Sequence, residues 1–417
     1  MTQAIKLLMA DRRSRWFFGA LTQSSLGTGA AYVALLVVAY DRYRSPWAIS
    51  LVLLADFVPA MVLGPVLGAA VDRWSRRGCA IAGDVIRAIA FAGIAASSSF
   101  PLTVAFALLA GLGTALFRPA TLAALPGLAG SRTAEATSLY GAISDLGYTV
   151  GPAVGAAVLA AVGPEDLLVV NAVTFAASAA VLARLDFGTA PAAADPEPPN
   201  QSLIRETREG IRAVAGLPAI GLLLTCSAAA MFSGGAFNVA ELPFAIGPLG
   251  TTSSGYATLV ALYGLGFIAG SLRGSRGGQP ARLKRQYVLG LLLTGLGGLA
   301  AGFSSGVLVA LAGFTLSGFG NGLWVVHQRL LIQADIPAEL QGRVFGLADG
   351  MTSWALAAAF VGAGAMVQAI GPRTLVTLTA VWEICLAVLA ALALRRHWQR
   401  KSETSAAYGS IAQQVAR

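Results

Sequence analysis

Gly68 to Arg77, with the sequence GAAVDRWSRR, is a short and mostly basic stretch that lies between two long apolar runs. These runs cover residues 48 to 70 and 79 to 99. Each is long enough to cross a bilayer as a helix, because about 20 apolar residues span roughly 30 Å of hydrocarbon. A charged loop between two such runs predicts that the chain turns at a membrane surface here.

The composition of the whole chain indicates a membrane protein with many spans. Of its 417 residues, 56% are hydrophobic and 12% are charged, whereas soluble domains carry about 25% charged residues. We therefore predict an all-α integral membrane fold with twelve transmembrane helices. Their predicted ranges are 16 to 40, 48 to 70, 79 to 99, 102 to 122, 138 to 161, 167 to 183, 219 to 245, 255 to 272, 287 to 303, 307 to 330, 344 to 370 and 374 to 394.

The net charge of +9 indicates membrane orientation and not nucleic-acid binding. If the N-terminus is cytoplasmic and the helices alternate, all but four of the 29 lysines and arginines fall toward the inner face. The exceptions are Arg42, Arg44 and Arg373 in outer loops and Arg87 within a helix. An excess of Lys and Arg in short loops marks the cytoplasmic side. We therefore predict a multi-pass protein of the inner or plasma membrane with both termini cytoplasmic.

The chain is predicted to consist of two similar halves, because Gly163-Pro164 and Gly371-Pro372 occupy equivalent positions after the fifth and eleventh helices. The predicted parts are a six-helix bundle over 1–186, a cytoplasmic linker over 187–216, a second six-helix bundle over 217–397 and a cytoplasmic tail over 398–417. Within the linker, residues 188 to 200 are Pro-rich and predicted to be flexible, and residues 202 to 214 have the pattern of an amphipathic surface helix. For two parallel repeats, a transport site is expected between the halves.

The motif inventory excludes the common enzyme classes. The sequence has no phosphate-cradling GxxxxGK[ST], no HExxH and no GxSxG, so neither ATP-driven transport nor hydrolysis is predicted. Cys79, Cys226 and Cys385 stand alone in apolar surroundings, without metal or disulfide spacing, and are interpreted as small core residues. We predict no enzyme activity, no catalytic residue, no metal and no cofactor.

Two glycine-containing patterns carry a resemblance to a known family. The residues Gly68, Asp72, Arg73, Arg76 and Arg77 resemble the cytoplasmic-loop signature of the major facilitator superfamily, with Ser75 where a glycine is usual. The residues Gly147, Gly151, Pro152 and Gly155 in the fifth helix are similar to the signature of the drug-proton antiporters of that superfamily, with Ala156 in place of a second glycine. Residues 171 to 175 (NAVTF) and 337 to 345 (PAELQGRVF) are similar to macrolide-efflux and siderophore-exporter proteins.

This resemblance implies a twelve-helix fold of two pseudo-symmetric bundles and a multidrug efflux function by proton-coupled antiport. Its implied partners are a small-molecule substrate, protons and the lipid bilayer, and we expect a monomer. Many antiporters of the superfamily carry an arginine in helix 4, four residues before a Gly-x-Gly. Here Gly111 and Gly113 follow Ala107, so any proton must be handled by other residues.

Charged side chains inside the predicted helices need a partner, water or a function, because each costs about 2.5 to 3.5 kcal/mol at the bilayer centre on insertion scales. Asp84 and Arg87 lie three residues apart on one helix face and are predicted to neutralise each other as a structural pair. The carboxylates without a predicted mate are Asp56, Asp145, Glu241, Asp349 and Glu383.

Four of these carboxylates are candidates for proton coupling. Asp56 and Glu241 are predicted near the outer side, and Asp145 and Asp349 near the cytoplasmic side. A structural alternative for the second pair is that Arg118 and Arg329, at the inner ends of helices 4 and 10, bind them as gates. Glu383 is favoured least, because helix 12 is peripheral in this fold. A buried carboxylate takes up a proton readily and loses it to the other side or to a cationic substrate.

The resemblance further implies a substrate cavity lined by helices 1, 4, 7 and 10. The candidate lining residues are Gln23, Ser24, Phe237, Asn238, Asn321 and Trp324. Aromatic walls with a few amides suit amphipathic molecules, and no basic residue lies at mid-depth for an anion. We therefore predict a neutral or cationic lipophilic drug or secondary metabolite. The alternatives are a siderophore or lysolipid exporter of the same fold and a transport-inactive membrane sensor or scaffold.

The loop at Gly68 to Arg77 is expected to regulate the transport cycle. We predict that Asp72 lies at the positive N-terminal end of a neighbouring helix, helix 11, and that the arginines hold carboxylates or lipid head groups. Such a contact would favour an outward-open state and would break when the protein opens inward.

Overall fold

The computed structural model describes residues 6, 8–71, 74–187, 211–212, 214–275 and 279–398. Asp72, Arg73, most of the predicted linker with its amphipathic segment, and nearly all of the predicted tail lie outside these residues. In the part that is described, twelve long α-helices account for almost the whole chain, with no β-strand. The helices are α1 Arg12–Tyr43, α2 Pro46–Val71, α3 Arg76–Ala96, α4 Phe100–Ala129, α5 Thr133–Val162, α6 Pro164–Leu182, α7 Pro218–Ile246, α8 Ser253–Gly274, α9 Pro280–Gly302, α10 Val307–Asp335, α11 Ala338–Ile370 and α12 Pro372–Trp398.

All but one of these helices are long and apolar enough to cross a membrane. Among the described residues, ten helical runs meet this condition, and one of them, Phe100–Leu159, contains both α4 and nearly all of α5. The ninth helix is not among the ten, and its first turns carry Arg282, Lys284 and Arg285. The prediction of an all-α membrane fold with twelve helices is confirmed. Many helices extend beyond their predicted ranges, because polar residues at the membrane surface continue a helix that an apolar count ends too early.

The chain divides into two compact units. One contains Met1–Pro196 and Ala245–Gly264, and the other contains Glu197–Phe244 and Leu265–Arg417. In the first unit, α1 packs on α5 and α6, α4 packs on α2 and α3, and α3 packs on α6. In the second unit, α9 packs on α10 and α12. The domain boundaries predicted from the sequence stay a prediction.

The two equivalent Gly-Pro pairs adopt the same local structure. Gly163 has φ 85° and Gly371 has φ 81°, a left-handed conformation that favours glycine. The backbone N–H of Gly163 donates to the carbonyl of Leu159, and that of Gly371 donates to the carbonyl of Val367. Each glycine therefore ends one helix and directly precedes the next. A proline follows as the first residue of α6 or α12, where its missing N–H is not needed. The halves therefore repeat a turn as well as a pattern of apolar runs.

Side chains cap the starts of α1 and α3. The backbone N–H of Ser14 donates to Asp11 Oδ2 at 2.8 Å, and this hydrogen bond lowers the pKa of Asp11. At α3 the backbone N–H of Gly78 donates to Ser75 Oγ at 3.1 Å. Serine and aspartate are preferred at this position because they bind an N–H that has no partner within the helix. The serine that departs from the loop signature thus begins α3.

Arginines bind the carbonyl groups at three helix ends. Arg42 donates to the carbonyls of Ile94, Ala95 and Ser97 at the end of α3, at 2.8 Å for Ile94 and 2.7 Å for Ala95. Arg373 donates to the carbonyl of Ser304, just after α9, at 2.9 Å. Arg77 of the charged loop donates to the carbonyl of Ala183, which ends α6. A cation at a helix C-terminus is favourable because this end carries partial negative charge.

Small residues let α1 and α5 approach closely. A Cβ added at Gly29 would meet the carbonyl oxygen of Gly147, and one added at Gly151 would lie 2.7 Å from the Cα of Gly29. Gly155 would likewise meet the backbone of Ala30. The glycines of the predicted antiporter signature therefore form the face of α5 that packs on α1. Such stripes of small residues are a common basis of helix association in membranes.

We expect Gly29→Ala to destabilise the protein by about 1 to 3 kcal/mol, because the added methyl overpacks this contact. The matched control is Gly19→Ala in the same helix, where an added Cβ meets nothing within 4 Å. The measurement is the thermal unfolding midpoint of the detergent-purified variants. Equal midpoints for the two variants would contradict the close approach of α1 and α5.

Candidate functional site

An ion pair lies inside the N-terminal unit at membrane depth. Asp84 is 0% exposed and Arg87 is 5% exposed. Arg87 Nη2 donates to Asp84 Oδ1, one helical turn away on α3. The predicted pairing of these two residues is therefore confirmed, and both side chains are almost completely buried.

Two aromatic rings enclose the guanidinium of Arg87. Its Cζ atom lies 4.0 Å from the ring centre of Phe117 on α4 and 4.2 Å from that of Phe175 on α6. A cation over an aromatic face gains about 2 kcal/mol when it is desolvated. Phe91 of α3 packs on Phe175 with ring centres 5.6 Å apart. Residues of three helices therefore surround this one cation. The contact with the two rings could not be predicted from the residue spacing within α3.

Two polar atoms of the pair lack a hydrogen bond. Among the described residues, Asp84 Oδ2 and Arg87 Nε are buried without a hydrogen bond. Ser178 is 0% exposed, and its hydroxyl lies beside Asp84, where it can donate to the carboxylate. A buried polar atom without a partner costs about 1 to 3 kcal/mol. The cluster therefore retains unused donor and acceptor capacity next to a charge.

Asp56 of α2 packs on α4, the helix on which Arg87 also packs. A Cβ added at Gly111 would meet the backbone carbonyl oxygen of Asp56. A Cβ added at Gly113 would lie 2.7 Å from the Cγ of Arg87. Gly111 therefore marks where α2 packs closely on α4, and Gly113 marks where α3 does. The side chain of Asp56 is half-buried.

The other candidate carboxylates differ in burial. Glu241 is buried, Asp145 is half-buried and Asp349 is exposed, and each of the three has an interaction with another group. Glu383 is 6% exposed on α12, and its Oε2 is buried without a hydrogen bond among the described residues. Ser233 of α7 lies beside it. Glu383 is thus more buried than we expected for a residue on a peripheral helix.

Two candidate cavity residues lie in the first unit. Gln23 donates through Nε2 to the carbonyl oxygen of Thr174 at 3.0 Å, which ties α1 to α6. Ser24 is 2% exposed, and its carbonyl oxygen accepts a hydrogen bond from Thr28. Both residues therefore contribute to packing within this unit.

The remaining candidates lie in the second unit. Phe237 packs on Phe314, with ring centres 5.4 Å apart. Trp324 is 4% exposed and meets the edge of Tyr287 at 6.3 Å. The other two, Asn238 and Asn321, are half-buried. That all six candidates line one cavity stays a prediction.

The described part of the charged loop includes Gly68, Arg76 and Arg77. A Cβ at Gly68 would lie 3.6 Å from the Cβ of Pro119, so α2 and α4 also meet at this end. Arg76 begins α3, and Arg77 binds the end of α6. Among the described residues, no group of three or more His, Cys, Asp or Glu could hold a metal ion.

Known proteins resemble the chain along most of its length. A family model described as Major Facilitator Superfamily matches residues 17–356. The uncharacterised MFS-type transporter YfiS of Bacillus subtilis is 26% identical over 84% of this chain and 85% of its own. The multidrug efflux pump Tap of Mycolicibacterium fortuitum is 32% identical over 49% of this chain and 53% of its own. The proposed bacilysin exporter BacE of Bacillus amyloliquefaciens is 24% identical over 81% of this chain and 84% of its own.

Solved structures of transporters share the fold. A bacterial homologue of the human lysosomal transporter Spinster matches with a TM-score of 0.71 at 16% identity, over 93% of this chain and 98% of that one. The nucleoside transporter NupG matches with a TM-score of 0.70 at 12% identity, over 92% of this chain and 99% of that one. At these identities the likeness concerns the fold alone.

We expect Arg87→Gln to destabilise the protein by about 3 to 5 kcal/mol, because removing one partner leaves Asp84 as a buried and uncompensated charge. The double variant Asp84→Asn, Arg87→Gln removes both charges and should recover most of this loss. The measurement is the thermal unfolding midpoint in detergent. A double variant no more stable than Arg87→Gln would show that the ion pair is not the cause.

Proposed function

The chain belongs to the Major Facilitator Superfamily and is a transporter of that family, and we propose that it exports lipophilic neutral or cationic small molecules in exchange for protons. The observation that carries the coupling part of this proposal is the half-buried carboxylate of Asp56 within the membrane-spanning helix α2. The confirmed family and fold class make alternating access the expected mode of transport.

The direction of transport is inferred from the relatives. Tap is named as a multidrug efflux pump and BacE as a proposed bacilysin exporter. BacE matches this chain over most of both lengths, so its likeness bears on the whole transport unit. These names support export of a drug or of a secondary metabolite.

Proton coupling is proposed to run through Asp56. A carboxylate that faces the outer side takes up a proton, because burial disfavours its charged form. When the protein opens to the cytoplasm, the proton leaves to the solvent or is displaced by a cationic cargo. Glu241, Asp145 and Asp349 remain further candidates.

The chemistry of the cargo is inferred from helices α1, α4, α7 and α10. Their middle portions carry no Lys or Arg, so a bound anion would lack a cation to pair with. Phe237, Asn238 and Asn321 supply aromatic and amide groups that suit amphipathic molecules. Neutral and cationic lipophiles therefore fit better than a siderophore or another anion.

The proposed setting is the inner or plasma membrane, with both termini in the cytoplasm. The basic residues of the short loops support this orientation. The three arginines predicted in outer loops have local roles. Arg42 and Arg373 bind helix ends, and Arg44 Nη1 lies 3.9 Å from Asp41 Oδ1. These three arginines therefore do not weigh against the orientation. We propose a monomer as the transporting unit.

We expect Asp56→Asn to abolish proton-driven efflux while leaving the protein folded, because asparagine keeps the size of the side chain but binds no proton. The measurement is efflux of the cationic dye ethidium from proteoliposomes under an imposed pH gradient. The control variant is Asp166→Asn, whose side chain is exposed at the start of α6. Full gradient-dependent efflux by Asp56→Asn would refute the role of Asp56.

We expect the same proteoliposomes to export cationic and neutral lipophiles and not a catecholate anion of similar size. The reason is the lack of Lys and Arg at mid-depth in the four helices named above. Initial rates for a panel of dyes with different charge would measure this preference. Preferred export of the anion would instead favour the siderophore exporter, and no gradient-dependent flux of any compound would refute the antiporter.

A further inference from the structure

One face of α1 is left open by the packing of the N-terminal unit. The helix packs on α5 and α6, while Arg15, Trp16 and Gly19 are exposed. One turn further along, Thr22 and Gln23 are half-buried. Steps of three or four residues relate these positions, so they form one stripe along the helix. A Cβ added at Gly19 would meet no atom of the described residues within 4 Å, so this stripe is uncovered next to Gln23.

Gln23 lies near the middle of the membrane span. It follows Arg12, the first residue of α1, by a distance of about 16 Å along the helix axis, because each residue adds about 1.5 Å. The hydrocarbon core of a bilayer is about 30 Å thick. Arg15 lies about 12 Å from Gln23 along the same axis. Gln23 is therefore a polar group at mid-depth, apart from the charged end of the helix.

The hydrogen bond of Gln23 fixes which end of its amide group faces outward. Gln23 Nε2 donates to the backbone carbonyl oxygen of Thr174 on α6 at 3.0 Å. A carbonyl oxygen can only accept a hydrogen bond, so the NH₂ group has to be the end of the amide that contacts Thr174. Among the described residues, no group donates to Gln23 Oε1. This oxygen is therefore an acceptor on the open face of α1.

Close packing of α1 on α6 holds this amide in place. A Cβ added at Gly27, one turn beyond Gln23, would lie 2.6 Å from Asn171 Oδ1 and 2.7 Å from Thr174 Oγ1. Thr174 Oγ1 in turn donates to the carbonyl oxygen of Asn171 at 2.8 Å. Both α6 residues belong to the segment 171 to 175, NAVTF. This segment thus keeps α6 close enough to α1 to hold Gln23 in one orientation.

Thr22 adds a second acceptor beside Gln23. Its hydroxyl donates to the carbonyl oxygen of Phe18 at 2.7 Å, which uses its one hydrogen and leaves the lone pairs of the oxygen. Of the next two hydroxyl residues, Ser24 is buried and Ser25 lies against α5. At this depth, the polar side chains on the open face of α1 therefore accept hydrogen bonds and do not donate them.

We propose that Gln23 and Thr22 form an acceptor site for an N–H group of the cargo, so that the protein prefers protonated amines to quaternary ammonium ions. A protonated amine donates a charge-assisted hydrogen bond, which is about twice as strong as a neutral one. A quaternary ammonium ion carries the same charge but has no N–H, and it leaves Gln23 Oε1 without a donor. The exposed ring of Trp16, two turns away, offers an apolar surface to the rest of the molecule. This inference rests on the proposed export of cationic lipophiles and names the class of cation.

The test is equilibrium binding of two probes to the detergent-purified full chain at neutral pH, without a proton gradient. The first probe is quinidine, a lipophilic tertiary amine that is protonated under these conditions. The second is N-methylquinidinium, which has the same skeleton and charge but no N–H on the cationic nitrogen. The wild-type protein should bind quinidine about tenfold more tightly, as expected for one hydrogen bond to a charged group. Gln23→Leu, which keeps the bulk of the side chain and lacks the acceptor, should bind the two probes equally.

The matched control is Gln333→Leu, an exposed position near the end of α10, which should keep the preference for quinidine. A preference that persists in Gln23→Leu would overturn the acceptor site, because the added methyl would then act by its size alone. Equal binding of both probes by the wild-type protein would overturn it as well, and this comparison needs no variant to fold. If the wild-type protein binds neither probe yet exports ethidium, the acceptor site is overturned and the proposed function stands. A clear preference without gradient-dependent efflux of either probe would support the site and refute proton-driven export.

Discussion

The close packing of α4 against both α2 and α3 is the constraint on which the N-terminal unit depends. Lipid tails are as apolar as the helices, so association in a bilayer relies on close contact and not on exclusion of water. Gly111 and Gly113 remove side chains where α2 and α3 pass, and Gly83 would place a Cβ 2.8 Å from the carbonyl oxygen of Gly113. Larger residues there would move α2 and α3 away from α4.

In the second unit, glycines bring two helices together in the same way, but the side chains beside them carry no charge. A Cβ at Gly320 of α10 would lie 2.6 Å from the carbonyl oxygen of Gly290 on α9, as Gly113 of α4 meets Gly83 on α3. Where the Cγ of Arg87 lies beside Gly113, the Oγ1 of Thr294 lies beside Gly320, 2.7 Å from the position of an added Cβ. The repeat thus preserves the small residues that fix helix distances but not the charge.

The sequence predicted the features that depend on local spacing. The pairing of Asp84 with Arg87 follows from their spacing of three residues on one helix, and the helix count follows from apolar length. The aromatic neighbours of the pair could not be predicted, because Phe117 and Phe175 come from two other helices. The periodicity within one helix does not predict which of its faces will contact another helix far along the chain.

Helix ends were the other feature beyond the reach of the sequence. The charged starts of α1 and α9 lie outside the apolar runs, yet both belong to the helices. Asp11 caps α1, and α9 begins at Pro280, where the N–H that proline lacks is not needed. Ser75 looked like a departure from the loop signature, and the structure shows that it is the N-cap of α3. Its neighbour Arg77 was expected to hold a carboxylate or lipid, but it binds the end of α6. Both residues thus help to fix the inner ends of α3 and α6.

A coupling group must convert the gain of a proton into a change of packing, and a carboxylate alone does this poorly. Neutralising an isolated acid alters its hydration but displaces no neighbouring side chain. A guanidinium always remains charged, so the pair of Asp84 and Arg87 keeps a permanent positive group inside the unit. Because the same guanidinium is enclosed by Phe117 and Phe175, this charge is held by α3, α4 and α6 together. Coupling through Asp56, as proposed, needs a fixed charge that packed helices hold, and Arg87 supplies one in the same unit.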